Sequence, residues 1–297
     1  RIMEVCGGQT YALSRYRIEE LLPDTVQMIH GPGCPVCVTH EDTISQAIEI
    51  ARNPQTIFCT FGDMVRVPGT KGSLQQLKAE GKDIRIVYSP LDTLRIASEN
   101  PEKQVVFFAI GFETTTPLYT LLLQEIVSRK ITNLSLLTSL FTIPAAISFL
   151  AQDREYDALA EKLELPIAVT GFEPADLLYG IYQVIRLKAQ GIDRTINAYR
   201  RAVPAQGNKM ARQKTERFFT PYDAYWRGLG KIPVSGLRLR PEYEQYEARN
   251  RFLCKVKPGI QASACRAGEI MKGKISPEKC PLFGNHCTPD TPLGASM

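Results

Sequence analysis

A chain of 297 residues with 44% hydrophobic and 23% charged residues carries enough apolar side chains for more than one buried core, and is not the composition of a disordered protein. The formal net charge of +5 is small for this length, and no dense Lys/Arg block stands anywhere, so no nucleic-acid or membrane partner is expected. No apolar run nears the roughly 20 residues of a membrane span and no signal peptide opens the chain. The expectation is a cytoplasmic protein, and Arg1 and the Pro/Gly-rich approach to Met297 read as cuts in a longer chain.

From about residue 25 to residue 190, short apolar runs alternate with amphipathic segments. Residues 56–60, 84–88, 105–110, 134–137 and 167–169 read as strands. They are short, rich in β-branched and aromatic residues, and largely without polar alternation, as strands covered on both faces are. Between them, Ile44, Ala47, Ile48 and Ala51 recur at helical spacing. So do Leu118, Leu121, Leu122 and Ile126, and again Leu177, Leu178 and Ile181 in a helix ending near Gly191 as its C-cap. The alternation predicts an α/β fold with parallel sheets flanked by helices. Three strand ends echo one another: Phe61-Gly62-Asp63, Gly111-Phe112-Glu113 and Gly171-Phe172-Glu173. Each sets a glycine and an acid just past a strand, where open α/β sheets form their ligand crevice, although turn and N-cap chemistry would also place them there. Beyond about residue 230, prolines and glycines break every periodic signal and predict a loop-rich region with little core of its own. The expected domains are residues 1–100, residues 101–230 and a cysteine-rich region over residues 231–297.

Eight cysteines in a reducing compartment suit metal or redox work better than a disulfide framework. Cys6 is followed by Gly7-Gly8, which lets backbone N–H groups approach a ligand as an anion-binding nest and favours an exposed thiolate. A buried cysteine before a tight turn is the plainer alternative. His30-Gly31-Pro32-Gly33-Cys34-Pro35-Val36-Cys37 holds a C-x-x-C motif, and Thr39 with Asp42 resembles a capping pair that would set it at the entrance of a helix over residues 41–52. With no second ligand pair nearby to make a zinc site, redox chemistry is the better reading. His30 is a candidate ligand or proton donor, or simply a satisfied strand-end histidine; His40 and His286 read as bystanders. Cys265, Cys280 and Cys287 lie at unequal spacings in coil, which suits an iron–sulfur cluster, with zinc as the competitor. Cys59, inside a strand, reads as core.

Together these residues resemble the HypD family of NiFe-hydrogenase maturation proteins. The resemblance rests on Glu4-Val5-Cys6-Gly7-Gly8, the string His30 to Val38, Phe61-Gly62-Asp63-Met64, residues 111–117, residues 171–174, Gly207-Asn208, Trp226-Arg227-Gly228, Cys280 to Gly284, and Cys287-Thr288-Pro289. It runs in order over essentially the whole chain. It implies two α/β domains plus a small cluster domain, and a scaffold that assembles the Fe(CN)2CO unit of the hydrogenase with a small partner, HypC. Cyanide would arrive as a thiocyanate on HypE, and the hydrogenase large subunit would be served indirectly. By the resemblance Cys6 is the iron-binding cysteine, Cys34 and Cys37 the redox pair, and Cys265, Cys280 and Cys287 three ligands of a 4Fe–4S cluster that restores that pair. Asp63, Glu113 and Glu173 would manage protons in the crevice. The family commonly shows His where Gln9 and Tyr11 stand, and cysteines where Ala267 and Ser296 stand; its sequence continues past residue 297, leaving Cys254 as a candidate for the fourth cluster ligand here. A general thiol–disulfide oxidoreductase and a zinc-stabilised interaction module are the competing functions.

Overall fold

The computed structural model describes residues 1–69, 72–144, 160, 164–204, 207–254, 264–288, 291 and 293. They divide into two compact units that interleave along the sequence. The first unit takes Arg1–Cys34, Ile143–Lys209 and Gly268–Pro277; the second takes Pro35–Thr142, Met210–Ala267 and Glu278–Met297.

The second unit is built on a six-stranded sheet in the order β4-β3-β5-β6-β10-β9. Its first four members, β3 (Thr56–Thr60), β4 (Ile84–Ile86), β5 (Gln104–Phe112) and β6 (Leu134–Phe141), pair in parallel. Side chains on β5 alternate between two cores: Val105, Phe107 and Ala109 enter one, Val106, Phe108 and Ile110 the other. Helices α3 (Glu41–Arg52) and α4 (Leu74–Ala79) bury their apolar stripes in the second core. On the opposite face lie α5 (Asp92–Glu99) and α6 (Thr116–Ser128). Strands covered on both sides have no use for a polar face, which is why every residue of β3 and of β6 is buried. The sequence order therefore turns back between β3 and β5, and their carboxyl ends mark the topological switch point of the sheet.

The α/β expectation holds, and the differences are local. The strand expected over residues 84–88 stops at Ile86. On α6 the buried face is Tyr119, Leu122, Leu123 and Ile126, while Leu118 and Leu121 are exposed, because the stripe that meets the sheet is one residue out of step with the one read from the leucines. The helix Pro174–Ala189 ends as expected, with Gly191 in the left-handed region at φ +66°. Two parallel pairs, β1 (Ile2–Glu4) with β2 (Met28–His30) and β7 (Ile167–Val169) with β8 (Thr195–Asn197), belong to the first unit.

The region past residue 230 opens not on loop but on a hairpin. Strands β9 (Phe219–Trp226) and β10 (Gly230–Leu239) are antiparallel, and β10 pairs with β6. A bulge between Ile232 and Gly236, with Val234 at φ 54°, accommodates Pro233, which cannot donate to the ladder. One sheet thus spans the boundaries expected near residues 100 and 230, since the strands on either side are hydrogen-bonded neighbours. Trp226 anchors the hairpin. It is fully buried, its ring centroid lies 4.9 Å from that of Phe141 and 6.0 Å from that of Phe112, and its indole N–H donates to Ser235 Oγ at 2.8 Å. Trp226→Ala is expected to cost about 3–5 kcal/mol, read as a lower urea midpoint with an unchanged m-value.

Candidate functional site

In the first unit β1 ends at Glu4, and Cys6 is the N-cap of α1 (Gly7–Arg15) with extended backbone, φ −148° and ψ 116°. The Gly31-Pro32-Gly33 turn leaving β2 folds back against this point. Gly31 N–H donates to Glu4 O at 2.8 Å, and Gly7 N–H donates to Gly33 O at 2.8 Å. A Cβ on Gly33 would lie 2.1 Å from Cys6 N, so only glycine permits the approach. Cys34 is carried in with it: a Cβ on Gly7 would sit 3.5 Å from Cys34 Cβ. The turn therefore brings Cys34 against the residue next to Cys6, and both thiols are half-buried.

The organiser of this corner is Glu4, which the sequence motif includes but which had no role assigned to it. Its buried carboxylate accepts from Cys6 N–H at 2.8 Å, from the Thr10 hydroxyl at 2.5 Å and from His30 Nδ1 at 2.8 Å. The signal was available: an acid two residues before the cysteine, on a strand whose partner ends in histidine. His30 Nε2 lies 3.3 Å from Glu19. The Glu4 hydrogen bond, against an opposing desolvation, raises the His30 pKa above its ordinary value. The expected anion nest does not form at the first two amides of the turn, because Cys6 N–H is spent on Glu4 and Gly7 N–H on Gly33. Phe172, from the third strand-end motif, is half exposed and lies over Gly8, where a Cβ would meet its ring at 2.9 Å and Cys6 Sγ at 3.7 Å. Tyr11 is exposed. Glu173 is an exposed N-cap that makes no side-chain cap bond, whereas buried Asp176 pairs with Arg201, which holds its carboxyl below the usual range.

Cys37 belongs to the second unit, in the one-turn helix α2 (Pro35–Val38). The motif stands just ahead of α3, but the residue that caps that helix is not the expected one. Thr39 does not cap that helix, because its hydroxyl is spent on Pro35 O at 2.8 Å and pairs with Ser139 Oγ at 3.0 Å. The cap is His40, whose Nδ1 accepts from Asp42 N–H at 3.3 Å, so this histidine is structural and not a bystander. At the switch point, Pro35 and Val36 line a 210 Å³ cleft with Phe61, Asp63, Ile110 and Gly111. Asp63 thus stands where the strand-end reading put it. Glu113, half-buried, is not part of the cleft lining. Cys59 is core, and burial pushes its thiol up to about 12.

Cys265, Cys280 and Cys287 also fall in the second unit, near enough for the charges of Cys280 and Cys287 to act on Cys265. Desolvation works to raise the Cys280 thiol, but backbone N–H groups of Arg266, Leu282 and Phe283 outweigh it and hold the pKa below its ordinary value. That is a setting for a thiolate. Cys254 does not complete the group: it packs against the α3 core, and burial raises its pKa. Ala267 is buried, and Ser296 lies outside the described residues. Among the described residues no three His, Cys, Asp or Glu side chains are arranged to hold a metal ion. Cys265, Cys280 and Cys287 are thiols of the kind that an iron–sulfur cluster takes as ligands.

The sequence model of the HypD family, described as the hydrogenase formation hypA family, matches residues 1–156 and 152–297. The chain belongs to the HypD family. A relative from Escherichia coli K12, the hydrogenase maturation factor HypD, is 42% identical over 318 residues, covering 100% of this chain and 85% of its own. The HypD of Rhizobium leguminosarum bv. viciae is 43% identical over 99% of this chain and 84% of its own, and that of Rhodobacter capsulatus 41% over 100% and 85%. Membership makes the chain a hydrogenase maturation factor. No described helix is long and apolar enough to cross a membrane.

Gly33→Ala is expected to destabilise the protein by about 1–3 kcal/mol through overpacking on Cys6, and to slow cross-linking of Cys6 to Cys34 by a short bifunctional alkylating reagent. His30 has a raised pKa in the folded state, so its contribution to stability is complete below the unfolded value near 6.5 and is lost as pH rises through the folded value. The stability gap between wild type and Glu4→Gln should accordingly include a part that narrows as pH rises, followed by chemical denaturation at several pH values.

Proposed function

We propose that the chain is a cytoplasmic factor that binds iron through Cys6 and, with HypC, assembles the Fe(CN)2CO moiety of NiFe-hydrogenase. The observation that carries this reading is the corner built around Cys6. A half-buried thiol is held by the Glu4 carboxylate through its own amide, with Cys34 folded against the next residue. A soft thiolate beside a buried carboxylate suits a low-valent iron cation, which here is cargo. Eight cysteines clustered at the two ends of the chain suit metal or redox work in a reducing compartment.

Cyanide delivered as a thiocyanate on HypE must leave as cyanide, a two-electron reduction. The S–CN bond breaks, cyanide passes to iron, and the HypE sulfur keeps the electron pair as a thiolate. Cys34 and Cys37 supply the two electrons by forming an S–S bond and releasing two protons. One proton neutralises the HypE thiolate and the other is passed on, with His30 and Asp63 as the groups proposed to accept it. A second cyanide requires that the disulfide first be reduced by an external dithiol donor. Cys265, Cys280 and Cys287 would supply three thiolates to the cluster that the family resemblance implies, and no step of this reading passes through it.

Cys6→Ala, purified anaerobically with HypC, is expected to lose the cyanide- and CO-type infrared bands and the copurifying iron. Retention of those bands would overturn the role of Cys6. Insulin-type disulfide reduction without affinity for HypC would point instead to a general thiol–disulfide oxidoreductase.

A further inference from the structure

The second unit contains a buried cation that the reading above does not use. Arg227 follows Trp226 at the end of β9, and its guanidinium is almost wholly buried. Three contacts fix this residue, one through its backbone and two through its guanidinium. Its backbone N–H donates to Val38 O, the residue after Cys37, at 2.8 Å, beside an antiparallel bridge between Thr39 and Trp226. Its Nε donates to Glu41 in the first turn of α3 at 3.0 Å. Its Nη2 reaches Leu293 O at 3.4 Å, and the N–H of that same Leu293 donates to Cys287 Sγ at 3.2 Å. An unbroken path of short contacts thus runs from Cys37 through Val38, Arg227 and Leu293 to Cys287.

Burying an ion pair is an uneconomical way to fill a core, since apolar residues of similar volume often do as well or better. What a guanidinium adds is direction: fixed donors that tie particular partners together. Here the guanidinium ties the start of α3 to the loop carrying the C-terminal thiols, while the backbone N–H of the same residue holds the C-x-x-C turn. The same charge also acts on Cys265, lowering its pKa against the larger effect of burial.

We propose that Arg227 is a positioning residue that couples the C-x-x-C turn to the C-terminal thiol loop, so that the reactivities of Cys37 and Cys287 are set together. The inference concerns thiols alone and stands whether or not iron binds at Cys6.

The test is the alkylation rate of each cysteine in the full chain, reduced and metal-free, read by mass spectrometry with iodoacetamide as probe. Fully buried Cys59 reports on the fold and should stay protected in every variant scored. In the Arg227 background, Cys287→Ser is expected to change the Cys37 rate by a factor of about three or more, within the range seen for directly coupled residues. In the Arg227→Lys background, which keeps the charge and loses the fork, the same change should leave Cys37 within about 1.5-fold, because the path is cut. A merely structural role for Arg227 would leave the effect of Cys287→Ser equal in the two backgrounds, and that result overturns the proposal. So does a wild-type Cys37 rate indifferent to Cys287→Ser. Should Arg227→Lys expose Cys59, Leu293→Pro replaces it: that change removes the N–H to Cys287 Sγ and spares the buried pair. It should likewise abolish the effect of Cys287→Ser on Cys37, and persistence of the effect counts against the coupling.

Discussion

In the first unit two stretches of backbone, at Gly33 and at Cys6, pack directly against one another. This packing leaves no room for a Cβ, and everything chemical nearby follows from it. Because the Gly31-Pro32-Gly33 turn lies flat on the end of β1, Cys34 arrives beside the first turn of α1. Its partner strand β2 delivers His30 to Glu4 in the same stroke, through the register that sets Glu4 opposite His30. Sequence separation of nearly thirty residues is overcome by a three-residue parallel pair and one glycine. The main chain, and not long side chains, brings Cys34 against Gly7.

A second constraint operates in the other unit. The sheet reverses its order between β3 and β5, and that reversal opens a cleft at their carboxyl ends. The residues between the two cysteines of the C-x-x-C motif form part of its wall, with Asp63 on the rim. Asp63 is thus placed by topology, just past the end of a strand whose interior is fixed by packing on two faces.

Much of this was legible in the sequence, and the failures have physical causes. Doubly covered strands such as residues 56–60 and 104–112 announce themselves because burial on both faces removes all polar alternation. The hairpin of β9 and β10 did not, because Pro233 and two glycines in a strand look like loop until a bulge is seen to absorb them. Thr39 and His40 exchanged their expected parts: the threonine hydroxyl had a nearer carbonyl at Pro35, which left the cap to the imidazole. The role of Glu4 escaped notice because an acid in a strand reads as surface. Only the register of β1 on β2 shows that three donors converge on it. Composition and spacing found the cysteines but not their neighbours, since second partners arrive from distant segments. The interleaving of the two units, with breaks at Cys34 and Ala267, likewise has no local signature.

The spent amides at the start of α1 carry one further consequence. Helix beginnings commonly attract phosphates and other oxyanions because their N–H groups point outward unpaired. Here the first two are already given to Glu4 and Gly33, and a carboxylate stands behind them. An arriving oxyanion therefore finds neither of these two N–H donors open, and meets a carboxylate where a helix start commonly offers donors.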